Sequence, residues 1–322
     1  MNRESNKRLI VERLKNLDFL NENGLYRIVA DYMKPQYLAS GTNDRTINIL
    51  DLETGECVAT LKGHGQEVTS LAVTTDGFLC SGSQDMTIKI WDPETGELLN
   101  TLKGHEHTVT SLAVTPDGLL CSGSKDMTIK IWNLQTGECV RTLQGRTGPV
   151  MSLAVTPDGL LCSGGYDITI KIWDLNKPEG RECIKTLEGH RLEVTSLAVT
   201  LNGLLCSGSS DATIKIWNLE TGKCIRTLEG HKQAIQSLVI TPDGLLCSGS
   251  RDQTIKIWSP ETGKWIGTIN IWNIYTVHAL VMTPDGKLCS TGYDRTIRIW
   301  NLKTGKCEKK IESGLVNSLA LI

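Results

Sequence analysis

The sequence has no marked excess of charge of either sign. Its 322 residues include 34 lysines and arginines against 36 aspartates and glutamates, which gives a net charge of −2. A surface that follows nucleic-acid phosphates needs clustered positive charge, so nucleic acid is not predicted as a partner. The chain also lacks an apolar run of membrane-spanning length, and residues 1–15 are unlike a signal peptide. We therefore expect no membrane association and a cytoplasmic location, which would be the host cytosol if a bacterium secretes the protein.

The eleven cysteines include no Cys-x-x-Cys pair, the spacing that anchors most structural zinc sites. Six follow a leucine in one frame: Cys80, Cys121, Cys162, Cys206, Cys247 and Cys289. Five follow a turn of the Thr-Gly type or a related one, in a column that also accepts Leu98 and Trp265: Cys57, Cys139, Cys183, Cys224 and Cys307. Both sets are predicted to be buried, reduced thiols that act as small apolar side chains. No metal and no other cofactor is predicted.

A long internal repeat explains this regularity. The segment Thr-Ile-Lys-Ile-Trp and its variants end 41 to 44 residues apart, at seven positions: Leu50, Trp91, Trp132, Trp173, Trp217, Trp258 and Trp300. A period of this length is typical of a propeller or a solenoid. Each unit contains four short segments rich in β-branched and apolar residues, separated by turns such as Pro-Asp-Gly. The pattern predicts four strands per unit, joined by hairpins.

The order of motifs within a unit resembles the WD repeat. Gly-His is followed about twenty residues later by an aspartate, and then by Thr-Ile-Lys-Ile-Trp with Asp or Asn after it. The resemblance extends over residues 37–322. It implies an all-β fold, a seven-bladed β-propeller of four-stranded antiparallel blades, with a short N-terminal helical segment over residues 1–36. In the first unit, Leu50 stands in place of the tryptophan.

The two ends of the repeat region complement each other. The first unit begins at Tyr37 and lacks its innermost strand, whereas residues 316–322 match an innermost strand and have no unit after them. Pairing of this last segment with Tyr37–Gly41 would close the ring and remove two exposed sheet edges. We therefore predict a closed propeller over residues 37–322, and a monomer.

The stretch Ser-Gly-Ser-Lys-Asp-Met-Thr-Ile-Lys-Ile-Trp contains residue types that a serine hydrolase would use. Four nearly identical copies favour a structural role, because one active site needs one copy. The resemblance implies hydrogen-bonded tetrads that stiffen the blades. They are His64, Ser81, Asp85 and Trp91; His105, Ser122, Asp126 and Trp132; His190, Ser207, Asp211 and Trp217; and His231, Ser248, Asp252 and Trp258. No catalytic residue is predicted, and the protein is not expected to be an enzyme.

Three units depart from the tetrad. Arg146 stands at the histidine position of the fourth unit, Asn273 or a neighbour stands there in the seventh, and the first unit has neither the histidine nor the tryptophan. Two explanations remain open: tolerated drift in a ring that is stabilised elsewhere, or reuse of these loops for recognition.

One face of the predicted propeller carries nearly uniform turns, and the other carries loops that differ between units. In related propellers, partner contacts come from three positions per blade on the variable face. The resemblance therefore implies candidate partner-binding residues on blades 4, 6 and 7: Pro149, Met151, Tyr166, Arg251, Tyr275, His278 and Tyr293. Tyrosine and arginine often dominate interface energies, which favours a scaffold or adaptor that binds a protein or peptide. The alternative is a scatter of exposed apolar residues without a role.

Residues 1–36 are of a different kind. Apolar residues at helical spacing over residues 25–33, ended by Pro35, and an earlier set over 10–17 predict two helices. They would cap the ring or dock a second protein. Leu-Tyr-Arg-Ile-Val-Ala-Asp-Tyr-Met loosely resembles part of an F-box, which gives the alternative of a substrate receptor in a ubiquitin-ligase-like complex. A small-ligand site or enzyme at the central channel is the third alternative, with His278 and Asp294 as its nearest candidates.

Overall fold

The computed structural model describes residues 37–271 and 276–322. The predicted helices of residues 1–36, with their loose F-box resemblance, lie outside the described residues. So do two residues of the seventh unit named above, Asn273 and Tyr275.

The described residues form 28 strands in seven sheets, each of four antiparallel strands. The first three blades, each given from its innermost to its outermost strand, are blade 1 with β28 (Val316–Leu321), β1 (Tyr37–Thr42), β2 (Thr46–Asp51) and β3 (Cys57–Lys62); blade 2 with β4 (Val68–Val73), β5 (Leu79–Ser83), β6 (Ile88–Trp91) and β7 (Leu98–Leu102); and blade 3 with β8 (Val109–Val114), β9 (Leu120–Ser124), β10 (Ile129–Trp132) and β11 (Cys139–Leu143).

The other four blades follow the same order without a crossover. They are blade 4 with β12 (Val150–Val155), β13 (Leu161–Gly165), β14 (Ile170–Trp173) and β15 (Cys183–Leu187); blade 5 with β16 (Val194–Val199), β17 (Leu205–Ser209), β18 (Ile214–Asn218) and β19 (Lys223–Leu228); blade 6 with β20 (Ile235–Ile240), β21 (Leu246–Ser250), β22 (Thr254–Trp258) and β23 (Trp265–Asn270); and blade 7 with β24 (Val277–Met282), β25 (Lys287–Gly292), β26 (Thr296–Asn301) and β27 (Lys306–Glu312). The prediction of an all-β, seven-bladed propeller is confirmed.

Blade 1 contains both ends of the repeat region. Strand β28 pairs antiparallel with β1, with Leu321 opposite Leu38 and Val316 opposite Thr42. The Ile322 amide donates a further hydrogen bond of 2.9 Å to the Tyr37 carbonyl. The last strand of the chain is thus the innermost strand of the first blade, and it covers the edge that β1 would otherwise expose.

The hydrophobic core lies between neighbouring blades. One cluster joins Cys80, Ile88 and Leu102 of blade 2 to Val109 and Trp132 of blade 3, and similar clusters recur around the ring. The blades approach closely because the second strand of blades 1 to 6 carries a glycine that faces the next blade; blade 7 has Thr291 at this position. A Cβ atom at Gly82 would lie 2.6 Å from Cγ1 of Val109, a distance that no real Cβ tolerates.

The cysteine prediction is confirmed for one set and wrong for the other. The six thiols that follow a leucine are buried between blades, and burial raises the pKa of Cys80 to about 12. The other five are exposed: Cys57, Cys139, Cys183, Cys224 and Cys307. They lie on the outermost strands, which no further strand covers, and only the leucine or isoleucine near the end of such a strand reaches the neighbouring blade. Within the described residues, no helix is long and apolar enough to cross a membrane.

Candidate interaction face

Four blades contain the complete network that the resemblance implied. In blade 3, Nδ1 of His105 lies 2.7 Å from Oδ2 of Asp126 and Nε2 lies 2.7 Å from the Ser122 hydroxyl. The Trp132 indole donates to the same hydroxyl at 2.8 Å. Because a carboxylate only accepts, Nδ1 carries the proton and Nε2 accepts from the serine. The structure brings the residues of blades 2, 5 and 6 together at distances of 2.7–2.9 Å.

The arrangement resembles a catalytic triad but leaves the serine inaccessible. Ser122 has no exposed surface, and its oxygen is held by His105 on one side and by the Trp132 indole on the other. A nucleophile must reach its substrate, and this hydroxyl lies beneath the blade surface. The four complete tetrads therefore act as packing networks that join the second strand, the third strand and the preceding loop of each blade.

The tetrad aspartates are expected to make the free energy of unfolding fall steeply in acid. Burial by itself would raise the pKa of Asp126, but hydrogen bonds donated by His105, Thr128 and the Glu106 amide outweigh it and hold the pKa well below its ordinary value. Three other tetrad aspartates have the same shift: Asp85, Asp211 and Asp252. A depressed folded-state pKa gives stability that is present above the unfolded value of about 4 and is lost as the pH falls below it.

We therefore expect the tetrad aspartates to change the free energy of unfolding little between about pH 7 and pH 5 and to make it fall steeply below about pH 4. Denaturant titrations across this range measure the slope. Asp126→Asn should reduce the slope by up to about 1.4 kcal/mol per pH unit, because one proton fewer is taken up on unfolding. The exposed Asp76 offers a matched Asp76→Asn control that should leave the slope unchanged. An Asp126→Asn variant with the wild-type slope would contradict this origin of the acid sensitivity.

The fourth blade keeps its network with an arginine in place of the histidine. Arg146 donates from Nη1 to the Ser163 hydroxyl and carbonyl, both at 2.8 Å, and from Nη2 to Asp167 and to the Thr169 carbonyl. The Trp173 indole still donates to Ser163 at 2.8 Å. The fourth unit departs from the tetrad in sequence but keeps its links, because a guanidinium carries enough donors to reach both partners of the missing histidine.

The arginine is coupled to a second change in the same blade. Position 165 is a glycine, as is the equivalent Gly292 of blade 7, whereas the second strands of the other five blades have a serine or threonine there. A Cβ atom at Gly165 would collide with the Pro149 carbonyl and would lie 3.0 Å from Nη2 of Arg146. The absence of a side chain at Gly165 thus leaves room for the buried guanidinium in blade 4. It also lets Pro149 pack against the turn that carries Tyr166.

Blades 7 and 1 lack the complete network among the described residues. In blade 7 the Trp300 indole still donates to Ser290 at 2.8 Å, but Asp294 accepts from Thr296 and Arg298. In blade 1 Asp44 accepts from Thr42 and Thr46, and Leu50 has no indole. No hydrogen bond joins His278 to Asp294, which is bonded to Thr296 and Arg298 instead.

The candidate partner-binding residues that the structure describes lie in the turn after the second strand or at the start of the innermost strand of their blades. The Tyr166 amide donates to the Pro149 carbonyl at 3.0 Å, and Arg251 and Asn43 make the equivalent bonds to Ala234 and Leu315. On blade 7 the rings of His278 and Tyr293 lie 5.8 Å apart. Tyr166 and Tyr293 are each 54% exposed, whereas Met151 and His278 are partly buried. The structure therefore brings Pro149 beside Tyr166 and His278 beside Tyr293.

Met151 and His278 occupy a β-bulge that recurs in the innermost strands. The pairing register shifts around each of these residues, between Val150 and Ser152 and between Val277 and Ala279. A bulge redirects one side chain. In blade 3 the bulged residue is Thr110, which donates 2.6 Å to the Val150 carbonyl of the next blade and so links the two blades. Met151 has no group that can make this bond.

One column of the variable face was missed by the sequence reasoning. The residue after each turn aspartate adopts a positive φ of 58–73° although it is not glycine. These residues are Arg45, Met86, Met127, Ile168, Ala212, Gln253 and Arg295. Positive φ places them at the tips of the turns, and an isoleucine there is an unusual choice. A comparison of this column between the seven units would have revealed the difference, because the residues after the aspartate are apolar in blades 2 to 5 and polar or charged in blades 6, 7 and 1.

The division separates the variable face into two halves. Exposed apolar side chains on blades 2 to 5 form an apolar arc: Met86, Met127, Tyr166, Ile168 and Leu192. Exposed cations on blades 6, 7 and 1 form a basic arc: Lys232, Arg251, Arg295 and Arg45. The turn of blade 5 carries the small residues Ser210 and Ala212, and two exposed cations, Lys125 and Arg191, lie on blades 3 and 5 beside the apolar arc. Scattered exposed apolar residues are normal, whereas grouped exposed apolar residues are a common feature of interaction surfaces.

The opposite face of the propeller has nearly identical turns in neighbouring blades. A shallow recess of about 380 Å³ lies there, lined by three nearly identical segments from blades 2 to 4: Val73–Thr75, Val114–Pro116 and Val155–Pro157. The threonine hydroxyls in the middle of the last two segments are bonded within their own turns, to Leu119 and Leu160. Within residues 37–271 and 276–322, no group of three or more metal-ligating side chains is placed to hold a metal ion.

The comparison with protein families agrees with this architecture. The family model described as WD domain, G-beta repeat matches residues 55–92, 96–133, 137–174, 181–218, 222–259 and 270–301, which together exceed half of the chain. The chain belongs to this WD40 family, whose propellers typically act as protein-interaction scaffolds. Each match begins near the outermost strand of one blade and ends with the third strand of the next. A search of the curated proteins found no match.

Proposed function

We propose that this protein is a non-enzymatic scaffold that binds a protein or peptide partner on the variable face of its propeller. The observation that supports this most is the division of that face into an apolar arc and a basic arc on a rigid frame. The tetrads and the Arg146 network hold the turns in place, so little conformational entropy is lost when a partner binds. The uniform opposite face lacks such differentiated chemistry.

Seven residues are proposed to contact the partner: Pro149, Met151, Tyr166, Arg251, Tyr275, His278 and Tyr293. Two of them are tyrosines with about half of their surface exposed, and such rings supply large contact areas at low entropic cost. The partner would span from Tyr166 in the apolar arc to Tyr293 beside the basic arc. We further propose that the propeller acts as a monomer in a reducing compartment such as the cytoplasm, in keeping with eleven free cysteines.

The proposal predicts separate effects on binding and on stability. Tyr166→Ala and Tyr293→Ala should each weaken partner binding by about tenfold or more, because truncation of an interface tyrosine removes roughly 2 kcal/mol. Both rings are half exposed, so the melting temperature should stay within a few degrees of the wild type. Binding is measured by quantitative affinity capture from cells, followed by titration of the captured partner.

A matched control lies on the opposite face. Leu201 is 75% exposed in a turn that separates β16 from β17, and Leu201→Ala should leave partner binding unchanged. If Leu201→Ala weakens binding and the tyrosine variants do not, recognition occurs on the uniform face and the proposal is wrong. The alternative of a ubiquitin-ligase substrate receptor depends on residues 1–36, which lie outside the described residues, and is not advanced here.

A further inference from the structure

Three of the buried polar atoms without a hydrogen-bond partner lie on two neighbouring blades. Within the described part of the chain, four buried side-chain atoms have no partner: Oδ1 of Asn43, Nε of Arg146, Oγ1 of Thr276 and Nδ1 of His278. The Arg146 atom belongs to a guanidinium whose other nitrogens are bonded. The remaining three belong to blades 7 and 1. Buried polar atoms are nearly always paired, so this grouping requires an explanation.

The three atoms lie at one end of the two innermost strands, on the variable face. Val277 pairs with Gly292, which places Thr276 across from Tyr293 at the start of β24. Thr276 is only 3% exposed. The Asn43 amide donates to the Leu315 carbonyl just before β28 begins, and β24 and β28 pack side by side. We call Asn43, Thr276 and His278 the polar corner.

The polar corner lacks the links that other blades make at the same positions. Thr195 of blade 5 donates 2.7 Å to the Ile235 carbonyl of the next blade, and Asn317 of blade 1 donates 3.0 Å to the Val68 carbonyl. His278 occupies the equivalent bulge of blade 7, yet its Nδ1 has no partner. The structure thus leaves His278 unlinked at a position where comparable blades bond to the next blade, beside the unpaired Thr276 hydroxyl and the unpaired Asn43 Oδ1.

Positive charge surrounds the polar corner. Burial lowers the pKa of His278, and the nearby charge of Arg251 lowers it further, so the imidazole is neutral near pH 7. Arg295 and Arg45 extend the basic arc across blades 7 and 1. Of the turn aspartates, Asp294 is paired with Arg298, whereas Asp252 and Asp44 accept hydrogen bonds from His231 and Thr42 and keep their charge. The four cations of the basic arc therefore outnumber the two remaining turn carboxylates. The acidic Glu229 and Glu312 stand farther out, at the ends of the outermost strands.

We propose that the polar corner receives an anionic side chain of a bound acidic peptide, with Arg251 and Arg295 supplying charge and Thr276, His278 and Asn43 supplying hydrogen bonds. This rests on the proposed function, for which it names the chemistry of the partner. A neutral imidazole donates through Nδ1 when its proton is there, a hydroxyl donates freely, and the amide of Asn43 turns its nitrogen inward. Apolar residues elsewhere in the peptide would contact the apolar arc.

Binding is tested with the full chain and three fluorescent libraries of short peptides that differ only at one central position: glutamate, phosphothreonine or glutamine. The glutamate or the phosphothreonine library should bind, and the glutamine library should bind at least about tenfold more weakly, as expected for loss of a charge-assisted contact. Arg251→Gln and Arg295→Gln should each reduce binding of the anionic library about tenfold. Lys125→Gln changes the corresponding cation on blade 3 and should have no effect.

Thr276→Val is expected to change stability and binding in opposite directions, which a residue with a purely structural role would not do. Valine keeps the shape and removes the unpaired hydroxyl, so the melting temperature should rise by about 2 °C or more while binding of the anionic library weakens. A lower melting temperature, or unchanged binding, would overturn the role of Thr276.

The two levels of the proposal fail in different ways. Equal binding of all three libraries, or binding that Arg251→Gln and Arg295→Gln leave unchanged, overturns the anionic chemistry. If Tyr166→Ala and Tyr293→Ala still weaken capture of the cellular partner in that case, the variable face remains the binding surface. If neither the charge variants nor the tyrosine variants matter, the proposed function fails as well.

Discussion

Deletion of residues 316–322 is expected to convert the protein into an unfolded or aggregating species. The deletion removes β28 and with it two buried members of the core, Val316 and Ala320. It also exposes the edge of β1 over Leu38–Thr42, whose backbone groups would then be free to pair with other chains. Loss of one strand therefore opens the whole ring. Size-exclusion chromatography and circular dichroism of the purified variant measure the outcome.

A variant in which the β28 segment is moved to a position before Tyr37 distinguishes the effect of losing this strand from the effect of shortening the C-terminus. In blades 3, 4, 6 and 7 a Thr-Pro-Asp-Gly turn joins the innermost strand to the second, and Ile322 lies beside Tyr37 at the matching place in blade 1. Residues 315–321 followed by this turn, whose threonine then takes the place of Ile322, inserted between residues 36 and 37 of the deleted chain, should restore a folded monomer. A monomeric, fully folded deletion variant would contradict the closure of the ring by β28.

The second large effect is expected at the buried guanidinium of blade 4. Arg146→Met should lower the free energy of unfolding by about 3–5 kcal/mol, because Asp167 would keep its charge in a site where only 6% of its side chain is exposed. A lysine cannot replace the arginine, because a single ammonium does not reach Ser163, Asp167 and Thr169 together. His105→Leu in blade 3 removes the two hydrogen bonds of a histidine but leaves Asp126 bonded to Thr128 and to the Glu106 amide. This variant should lose about 1–3 kcal/mol of stability.

A double variant checks the origin of the Arg146 effect. Arg146→Met combined with Asp167→Asn removes both charges and should recover part of the stability that Arg146→Met loses. Denaturant unfolding at constant slope gives the four free energies of the cycle. A double variant no more stable than the Arg146→Met single variant, or a single variant that loses less than about 1 kcal/mol, would show that the ion pair is not the source.

The period of the repeat and the turn residues of each unit predicted short strands in a propeller or a solenoid, and the resemblance to the WD repeat implied the seven-bladed propeller. The tetrads were also implied by the resemblance, and four units repeat all four residues. The role of Arg146 could not be predicted in this way. Whether a guanidinium fits depends on the space left by Gly165 and on the direction of Pro149, which are properties of the folded blade.

The exposed cysteines were misjudged for a related reason. Cys139 shares a column with Leu98 and Trp265, and that composition suggested burial. The outermost strand of a propeller blade has no neighbour, so an apolar residue in that column remains in contact with solvent. The polar corner was equally hidden, because Thr276 and His278 are ordinary residues in the sequence. Only the missing hydrogen-bond partners of the folded protein distinguish them.

The central claim is that the variable face binds a partner through its apolar and basic arcs. Selection of a phage-displayed peptide library on the wild-type protein, with the triple variant Tyr166→Ala, Arg251→Gln and Tyr293→Ala as the comparison, tests it without knowledge of the partner. We predict enriched peptides that combine acidic and apolar residues, bind the wild type, and bind the triple variant at least about a hundredfold more weakly, as loss of several interface anchors implies. Enriched peptides that bind both proteins equally would contradict the claim.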